Sequence, residues 1–334
     1  MPLSTSSFDM MRWVGAGLLA LIVWAAGAIA YERHLRSEGH LPTVIDTPQL
    51  WAQERSRVYG DQAFVFIGAS RTLYGIHLDT VEAMAPQANA VMLALNGRYP
   101  LATLEALADD VDFNGTLLVD VDARGLTEYN WDAQAESNRY FSNDWTPSWA
   151  VHRWLLSPLQ RHWASLNARL GWLPMSKSRL QMAPPPFVAH DALSARREGY
   201  LDFDRVDAAG LAQMFKADLE RELEKHPPPP AAAWLERLSP VSDWVRRIEA
   251  RGGRVIFFVP PVSGYQATLV EAAYPRARYW QRFIDQYQLH GWHYLDDDGL
   301  LDEITLPDDS HVDVSQKSAY TQRLLDNLRR EGLL

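Results

Sequence analysis

The sequence predicts an α/β protein in which a parallel sheet lies between two layers of helices. Short apolar runs alternate with amphipathic segments, an uncharged apolar stretch lies near the N-terminus, and a region rich in Trp and Pro interrupts the alternation. We therefore expect a three-layer fold with an N-terminal transmembrane helix and a mainly helical insertion. The expected parts are a short head (1–12), an anchor (13–31), a stalk (32–60), a first sheet-bearing part (61–126), the insertion (127–235) and a second sheet-bearing part (236–334).

The composition excludes several classes of protein. The chain has 334 residues, of which 47% are apolar and 22% charged, as expected for one large or two medium globular domains. Its net charge of −10 provides no basic surface for nucleic acid, so no nucleic-acid partner is expected. The chain contains no Cys, which excludes disulfides, zinc–thiolate sites, a cysteine nucleophile and a lipid-modified cysteine anchor.

The anchor is predicted from the run WVGAGLLALIVWAAGAIAY, residues 13–31, which holds no charged residue. At about 1.5 Å per residue, a helix of this length matches the hydrocarbon core of a bilayer. A signal peptide cleaved at Ala28-Ile29-Ala30 is the alternative, but the run is long for the apolar core of a signal peptide, which favours an uncleaved anchor. The short head and the large polar body favour export of the body. We therefore expect a single-pass protein of the cell inner membrane, with its body in the periplasm or outside the cell.

Apolar runs on either side of the insertion predict the strands of the sheet, and amphipathic segments between them predict its helices. Asn96-Gly97 is a turn signal that ends the second run, and Pro100 suits the first turn of the helix that follows. The predicted strands cover 63–68, 88–95, 115–122, 254–262 and a short stretch within 292–299. The predicted helices cover 72–85, 100–111, 232–253, 277–291 and a C-terminal helix within 308–332.

The insertion is distinguished by its aromatic and proline content. It is too long for a crossover loop and too apolar for a disordered segment, so we expect a mainly helical region that lies over one end of the sheet. Its aromatic rings suit either a hydrophobic cap on the sheet or a groove that packs against sugar rings. Its proline runs lie at 184–186 and 227–230, and its Trp residues include Trp131, Trp145, Trp149, Trp154, Trp163 and Trp172.

Polar residues follow the predicted strands, and the carboxyl ends of parallel strands meet at one edge of a sheet. Ser70 follows the first strand, whereas Asp308 and His311 precede the last helix. A Ser, a His and an Asp at one edge suit nucleophilic acyl transfer, in which the imidazole takes the hydroxyl proton and the carboxylate orients the imidazole. For Ser70 alone, capping of the following helix is the alternative interpretation. Neither the phosphate-loop spacing nor the Gly-x-Ser-x-Gly elbow occurs around Ser70.

Together, Gly-x-Ser after the first strand, Asn-Gly after the second and Asp-x-x-His before the last helix resemble the SGNH (GDSL-like) hydrolase superfamily. The resemblance covers roughly 61–126 and 240–334 and implies an SGNH/flavodoxin-like sheet. It implies that Ser70 is the nucleophile, that His311 is the general base and acid, and that Asp308 orients His311. It also implies that the N–H groups of Ser70 and Gly97 form the oxyanion hole and that neither a metal nor an organic cofactor is required.

The chain departs from the family pattern at two places. Ala69 stands where the family has Asp, and the Gly-x-Asn-Asp of the third block is absent. Asn96, Arg124 and Asn130 are the candidates to replace the Asn that the third block usually contributes to the oxyanion hole, and Asn96 is included with Ser70 and Gly97 in the candidate oxyanion hole. Arg71, Arg124 and Asn130 are candidates for substrate binding.

The GASRT variant, the anchor and the large insertion resemble the extracytoplasmic, membrane-anchored branch of this superfamily. That branch includes alginate and peptidoglycan O-acetyltransferases and the lipoteichoic-acid D-alanylation protein. The resemblance implies a serine acyltransferase or esterase for O-acyl groups of a cell-envelope or exported polysaccharide, with acetyl as the expected acyl group. It also implies a membrane-bound O-acyltransferase as partner. The alternatives are a non-catalytic envelope assembly or glycan-binding protein of the same fold, and a general hydrolase of small esters.

Overall fold

The computed structural model describes residues 7–182 and 190–334, with side chains from Met10 onwards. Two features of the sequence lie outside the described residues: the proline run at 184–186 and the first six residues of the predicted head. By their contacts, the described residues divide into two compact units. We name them the anchor unit, residues 7–45 and 157–182, and the sheet unit, residues Asp46–Leu156 and His190–Leu334.

Helices and strands alternate along the described chain as the sequence predicts, with additional helices in the insertion. The helices are α1 (Ser7–Ser37), α2 (Pro48–Arg55), α3 (Ser70–Gly75), α4 (Leu78–Met84), α5 (Leu101–Asp109), α6 (Ala135–Asn143), α7 (Pro147–His162), α8 (Trp172–Arg179), α9 (Ala208–Lys225), α10 (Ala231–Arg237), α11 (Ser239–Glu249), α12 (Gly264–Ala273), α13 (Trp280–Tyr287), α14 (Leu300–Glu303) and α15 (Lys317–Arg330). The strands are β1 (Ala63–Ile67), β2 (Asn89–Met92), β3 (Thr116–Asp120), β4 (Asp191–Leu193), β5 (Gly199–Leu201), β6 (Arg254–Val259) and β7 (His290–His293).

The main sheet has five parallel strands in the order β2-β1-β3-β6-β7. With the hairpin strands β4 and β5 left aside, this is the 2-1-3-4-5 order of flavodoxin-like sheets, which places ligand sites at the carboxyl ends of β1 and β3. Val65 at the centre of β1 pairs with Val91 on one side and Leu117 on the other. These side chains are fully buried, because helices cover both faces of a parallel sheet. The predicted α/β fold class is confirmed.

The structure divides two of the predicted helices. The helix expected over 72–85 becomes α3 and α4, because the ring of His77 accepts a hydrogen bond from the Thr80 N–H and starts a new helix there. The helix expected over 232–253 becomes α10 and α11, which meet at Leu238. Pro240, which has no N–H to donate, occupies the first turn of α11, where it is tolerated.

α1 is the one helix among the described residues that is long and apolar enough to cross a membrane. The most apolar 18-residue stretch of its segment Met10–Ser37 has a mean hydropathy of 2.0 and is not buried within the protein. In the anchor unit, short turns over Ala164–Leu166 and Ala168–Leu170 and helix α8 pack against the end of α1. The predicted insertion (127–235) is therefore divided, because 157–182 belong to the anchor unit and the rest of its described residues to the sheet unit.

Candidate active site

Ser70 begins helix α3, three residues after β1 ends. The turn requires Gly68, because a Cβ there would lie 2.6 Å from the Cβ of Asp120 on the neighbouring strand β3. The N-cap residue of α3 is Ala69, and α3 has no side-chain cap. The structure therefore contradicts the capping interpretation of Ser70, and its hydroxyl interacts with His311 instead.

A continuous hydrogen-bonded series joins the three predicted catalytic residues. Ser70 Oγ lies 2.8 Å from Nε2 of His311, and Nδ1 of His311 lies 2.8 Å from Oδ2 of Asp308. The other carboxylate oxygen of Asp308 accepts hydrogen bonds from the backbone N–H groups of Ser310, at 3.0 Å, and His311, at 2.8 Å. These bonds fix the carboxylate, which in turn fixes the plane of the imidazole.

The Asp308 carboxylate is buried, with 1% of its surface exposed. Burial by itself raises the pKa of this carboxyl, but the hydrogen bonds and the charge of His311 and the N–H of Ser310 outweigh burial, and its pKa lies below the usual range. Asp308 is therefore ionised at neutral pH. An ionised carboxylate beside Nδ1 would stabilise the imidazolium that a proton transfer from Ser70 to His311 would form.

Two aromatic rings bracket the imidazole of His311. The ring of Tyr74, on α3, meets it edge-on at a centroid distance of 6.2 Å. The ring of Phe215, on α9, lies 5.6 Å away at an angle of 55°. Because α9 lies within the predicted insertion, the insertion contributes directly to the surroundings of His311.

The loop after β2 lies beside the loop that carries Ser70. The N–H of Leu95 donates to the carbonyl of Gly68 at 3.0 Å, and the turn closes with a bond from Arg98 N–H to Leu95 O at 3.1 Å. Gly97 lies in this turn with φ of +69°, a conformation that favours glycine. The side-chain amide of Asn96 points to the hydroxyl of Tyr74 at 3.4 Å. The structure thus brings the Asn96–Gly97 turn next to the nucleophile loop, and their oxyanion roles remain predictions.

Gln134 connects the two loops and was not predicted from the sequence. Its side chain is fully buried, and its Nε2 donates to the carbonyls of Gly68 and Arg98, both at 2.9 Å. Its Oε1 accepts from the hydroxyl of Thr103 at 2.6 Å. A single amide therefore holds the nucleophile loop and the Asn96–Gly97 turn at a fixed separation. The sequence gives no local signal for this role, because Gln134 lies 64 residues after Ser70.

Arg197, in the turn of the β4–β5 hairpin, holds the end of β2 and was also not predicted. Its guanidinium is fully buried and donates to the carbonyls of Met92, at 3.0 Å, and Ala94, at 3.1 Å. The same group forms a two-point ion pair with Asp46, at 2.9 and 2.8 Å. Because β2 leads directly into the Asn96–Gly97 turn, Arg197 also helps to fix the position of that turn. Its φ of +58° is unusual for a residue with a side chain, and the four hydrogen bonds offset that strain.

A buried cluster of charges fixes α3 on strand β3. Arg71 donates to Asp122 at 2.8 Å, and the hydroxyl of Thr72 donates to Asp120 at 2.7 Å. Burial raises the pKa of the Asp120 carboxyl. For Asp122, burial is outweighed by the charges of Arg71 and Arg124, and its pKa is lowered. The cluster therefore explains the Arg that follows the nucleophile, and a role of Arg71 in substrate binding remains a prediction.

Arg124 and Asn130 also have protein partners. Arg124 pairs with Glu222 of α9 at 2.5 Å, and its guanidinium lies over the ring of Tyr99. The side-chain amide of Asn130 donates to the backbone carbonyl of Arg124 at 3.1 Å and to Thr127. Both side chains thus stabilise the loop after β3, and their proposed contacts with substrate remain predictions.

The arrangement has the parts that nucleophilic acyl transfer needs. Ser70 is only partly buried, so an acyl group can approach its Oγ, while His311 and Asp308 behind it are buried. Within 10–182 and 190–334, no cluster of three or more His, Asp or Glu side chains is arranged to hold a metal ion.

No protein-family model and no curated protein matches the chain. A solved structure, the crystal structure of TesA, is similar to it with 10% sequence identity over 82% of this chain and 100% of the TesA chain, at a TM-score of 0.36. The function of this chain has therefore to be inferred from the geometry of Ser70, His311 and Asp308.

Proposed function

We propose that the chain is a membrane-anchored, SGNH-like serine acyltransferase or esterase. Its substrates would be O-acyl groups of a cell-envelope or exported polysaccharide, with acetyl as the proposed acyl group. The observation that carries this proposal is the hydrogen-bonded series from Ser70 through His311 to Asp308 at the carboxyl edge of the sheet. The flavodoxin-like strand order and the resemblance of the three loop motifs to the SGNH superfamily support it.

In the first half of the reaction, Ser70 Oγ attacks the carbonyl carbon of the acyl donor as its proton moves to Nε2 of His311. The carbonyl oxygen becomes an oxyanion, which the N–H groups of Ser70 and Gly97 would stabilise. When the tetrahedral intermediate collapses, His311 gives the proton to the leaving oxygen. The products are the free alcohol of the donor and an acyl ester on Ser70.

In the second half, an acceptor hydroxyl takes the place of the leaving alcohol. His311 removes the proton of that hydroxyl, its oxygen attacks the acyl carbon, and the ester bond to Ser70 breaks with return of the proton to Oγ. A sugar hydroxyl as acceptor gives transfer, and water gives hydrolysis. The chemistry at Ser70 is the same in both cases, so access of water to the acyl group decides between them.

The proposed location is the inner membrane, with the sheet unit in the periplasm or outside the cell. The apolar, unburied segment of α1 supports membrane anchoring. A membrane-bound O-acyltransferase would supply the acyl group from the other side of the bilayer. Since the chain contains no Cys, Val111→Cys in intact cells tests the sidedness. Reaction with a membrane-impermeant maleimide before lysis is expected, and reaction only after lysis would contradict this location.

Covalent labelling tests the catalytic proposal. The full chain is treated with a fluorescent fluorophosphonate, and turnover of p-nitrophenyl acetate is measured in parallel. We expect labelling of the wild type and its loss in Ser70→Ala and His311→Ala. Ser263→Ala is a matched control, because this serine donates to Asp309 at 3.1 Å near the same sheet edge without a histidine partner, and this variant should be labelled normally.

The results separate the competing functions. Catalysis would be refuted if the wild type is not labelled and if Ser70→Ala and His311→Ala both keep normal envelope function. The remaining interpretation would then be the non-catalytic assembly or glycan-binding protein. Transfer and hydrolysis are separated by adding an oligosaccharide with free hydroxyls and detecting acylated sugar by mass spectrometry. If the added oligosaccharide does not lower the rate of acetate release, the protein is a hydrolase.

A further inference from the structure

The charges of the chain are unevenly distributed along the sequence. Between Asp144 and Asp191, residues 145–190 include no Asp or Glu, although the whole chain contains 42 acidic residues and has a net charge of −10. The same stretch carries five Lys and Arg residues. Such a segment contains no carboxylate that an anionic surface would repel, and its lysines and arginines are attracted to that surface.

Residues 157–182, which belong to the anchor unit, also expose large apolar side chains. Trp172, Leu180 and Met182 have exposed fractions of 72%, 71% and 73%. Further side chains of this kind in the same segment are Leu159, Leu166 and Leu173. Exposed Trp and Leu beside Lys and Arg are typical of segments that lie in the headgroup region of a membrane.

Hydrogen bonds attach this segment to one end of α1. The hydroxyl of Tyr31 donates to the carbonyl of Leu170 at 2.7 Å. The carboxylate of Glu32 accepts from the N–H groups of Ala164, at 2.9 Å, and Ser165, at 3.0 Å. These contacts would hold the segment at one level along α1.

That level coincides with the edge of the hydrocarbon core. The uncharged run of α1 ends at Tyr31, and a helix over 13–31 spans about 28 Å at about 1.5 Å per residue, close to the thickness of the core. The contacts of 162–170 with α1 begin at Tyr31 and continue into its charged last turns, where Arg36 donates to the carbonyl of His162 at 2.6 Å. If α1 spans the bilayer, the segment lies at the headgroup level.

We propose that residues 157–182 form a second membrane-contact surface, which lies in the interface beside α1 and binds anionic lipid headgroups. Trp172, Leu180 and Met182 enter the boundary between headgroups and acyl chains, and Arg161, Arg169 and Lys177 interact with lipid phosphates. This inference rests on α1 spanning the membrane, and it is independent of the proposed catalytic activity. Its consequence is that the body side of the anchor is fixed to the membrane surface at two places.

Site-specific labelling in a reconstituted bilayer tests the proposal, because the chain has no Cys of its own. Trp172→Cys and Leu180→Cys are labelled with an environment-sensitive NBD dye in the full chain, in nanodiscs of phosphatidylglycerol and phosphatidylcholine. Quenching is measured with lipids that carry a nitroxide near the headgroup and with aqueous iodide. Val111→Cys is the exposed control in the sheet unit, with 78% of the native side chain exposed, and Ala20→Cys is the control within α1.

We expect nitroxide-lipid quenching of the dyes at Trp172→Cys and Leu180→Cys to be at least threefold that at Val111→Cys, with weak quenching by iodide. Dyes that iodide quenches as strongly as at Val111→Cys would overturn the proposal. Dyes protected from both quenchers would also overturn it, since they would indicate a protein on this face. A dye at Ala20→Cys that is not quenched by deeply placed nitroxide lipid would show that α1 does not span the bilayer and would overturn the inference at its premise.

A second variant tests the role of charge. The triple change Arg161→Gln, Arg169→Gln and Lys177→Gln removes three exposed cations and leaves the contacts with Tyr31 and Glu32 in place. We expect it to lower nitroxide-lipid quenching at Leu180→Cys at least twofold in phosphatidylglycerol discs and to change it little in pure phosphatidylcholine. Equal quenching of the triple variant and its parent in both lipids would refute the binding of anionic headgroups.

Discussion

Replacement of Gln134 by Leu should separate the two loops of the active site without removing a reacting group. Leu has nearly the volume of Gln but forms none of its three hydrogen bonds. The Gly68 carbonyl keeps the N–H of Leu95, whereas the buried hydroxyl of Thr103 loses its acceptor and the Arg98 carbonyl loses the Gln134 donor. At about 1–3 kcal/mol for each of these two groups, we expect a loss of about 2–6 kcal/mol in the free energy of unfolding.

The same change should slow acylation. When Gln134 no longer holds Gly68 to Arg98, the Gly97 N–H loses its fixed distance from the nucleophile. Complete loss of one oxyanion donor costs about 10²–10³ in rate, so partial misplacement should slow fluorophosphonate labelling by about tenfold or more. The assay compares labelling rates and urea denaturation for the wild type and Gln134→Leu.

Thr103→Val is the matched control for this experiment. It removes the hydroxyl that donates to Oε1 of Gln134 but leaves both bonds from Nε2 to the loop carbonyls. We expect Thr103→Val to lower stability with little change in labelling rate. Equal labelling rates for Gln134→Leu and the wild type would refute the positioning role, and so would an equal fall in both variants, since that would reflect stability alone.

Three further predictions concern buried polar groups. Asp308→Asn should lower the acylation rate by about 10³–10⁴-fold, because the amide no longer fixes the tautomer of His311. The pKa of Asp308 is lower in the folded than in the unfolded state, so its contribution to stability should be complete above about pH 4 and be lost as the pH falls through the folded pKa. Urea denaturation should therefore show that the difference in the free energy of unfolding between the wild type and Asp308→Asn becomes smaller below pH 4. Lys317→Met should lower the free energy of unfolding by about 3–5 kcal/mol, because the carboxylate of Glu198, 2.9 Å from the ammonium, stays buried and loses this partner. The double variant Lys317→Met and Glu198→Leu should recover most of that loss, as measured by thermal denaturation. Arg197→Lys should lower the free energy of unfolding by about 2–4 kcal/mol and slow labelling, because one ammonium cannot reproduce the four bonds to Asp46 and to the end of β2. A free energy of unfolding within about 0.5 kcal/mol of the wild type would contradict that role.

The placement of the three candidate catalytic residues could be predicted because each lies at a position that local sequence defines. Ser70 follows an apolar run that ends at a glycine, and His311 follows Asp308 at the spacing that lets one carboxylate bond both the ring and the backbone. The parallel order of the strands then brings these segments to one edge, although they are 241 residues apart. The sheet was predictable for a related reason, since strands covered on both faces are continuous apolar runs.

The residues that hold the site together could not be found in this way. Gln134 and Arg197 act through hydrogen bonds to backbone carbonyls, and a carbonyl is present at every residue whatever its side chain. No spacing or residue type therefore marks their partners in the sequence. Both residues also lie in the insertion, whose path relative to the sheet depends on tertiary contacts rather than on the period of its apolar residues.

Part of the insertion has a local charge that differs from the average charge of the whole chain. A net charge of −10 describes an acidic protein, but no Asp or Glu occurs within 145–190. An average over 334 residues removes this contrast, whereas a local count of charge retains it. Attraction to anionic lipid acts over about one Debye length, roughly 8–10 Å, so the proposed binding would depend on charges within that distance of the lipid rather than on the net charge of the chain. The acid-free stretch includes all of 157–182, the part of the insertion that packs against α1, and also 145–156 of the sheet unit, so local charge marks this region of the insertion but not the boundary between the units.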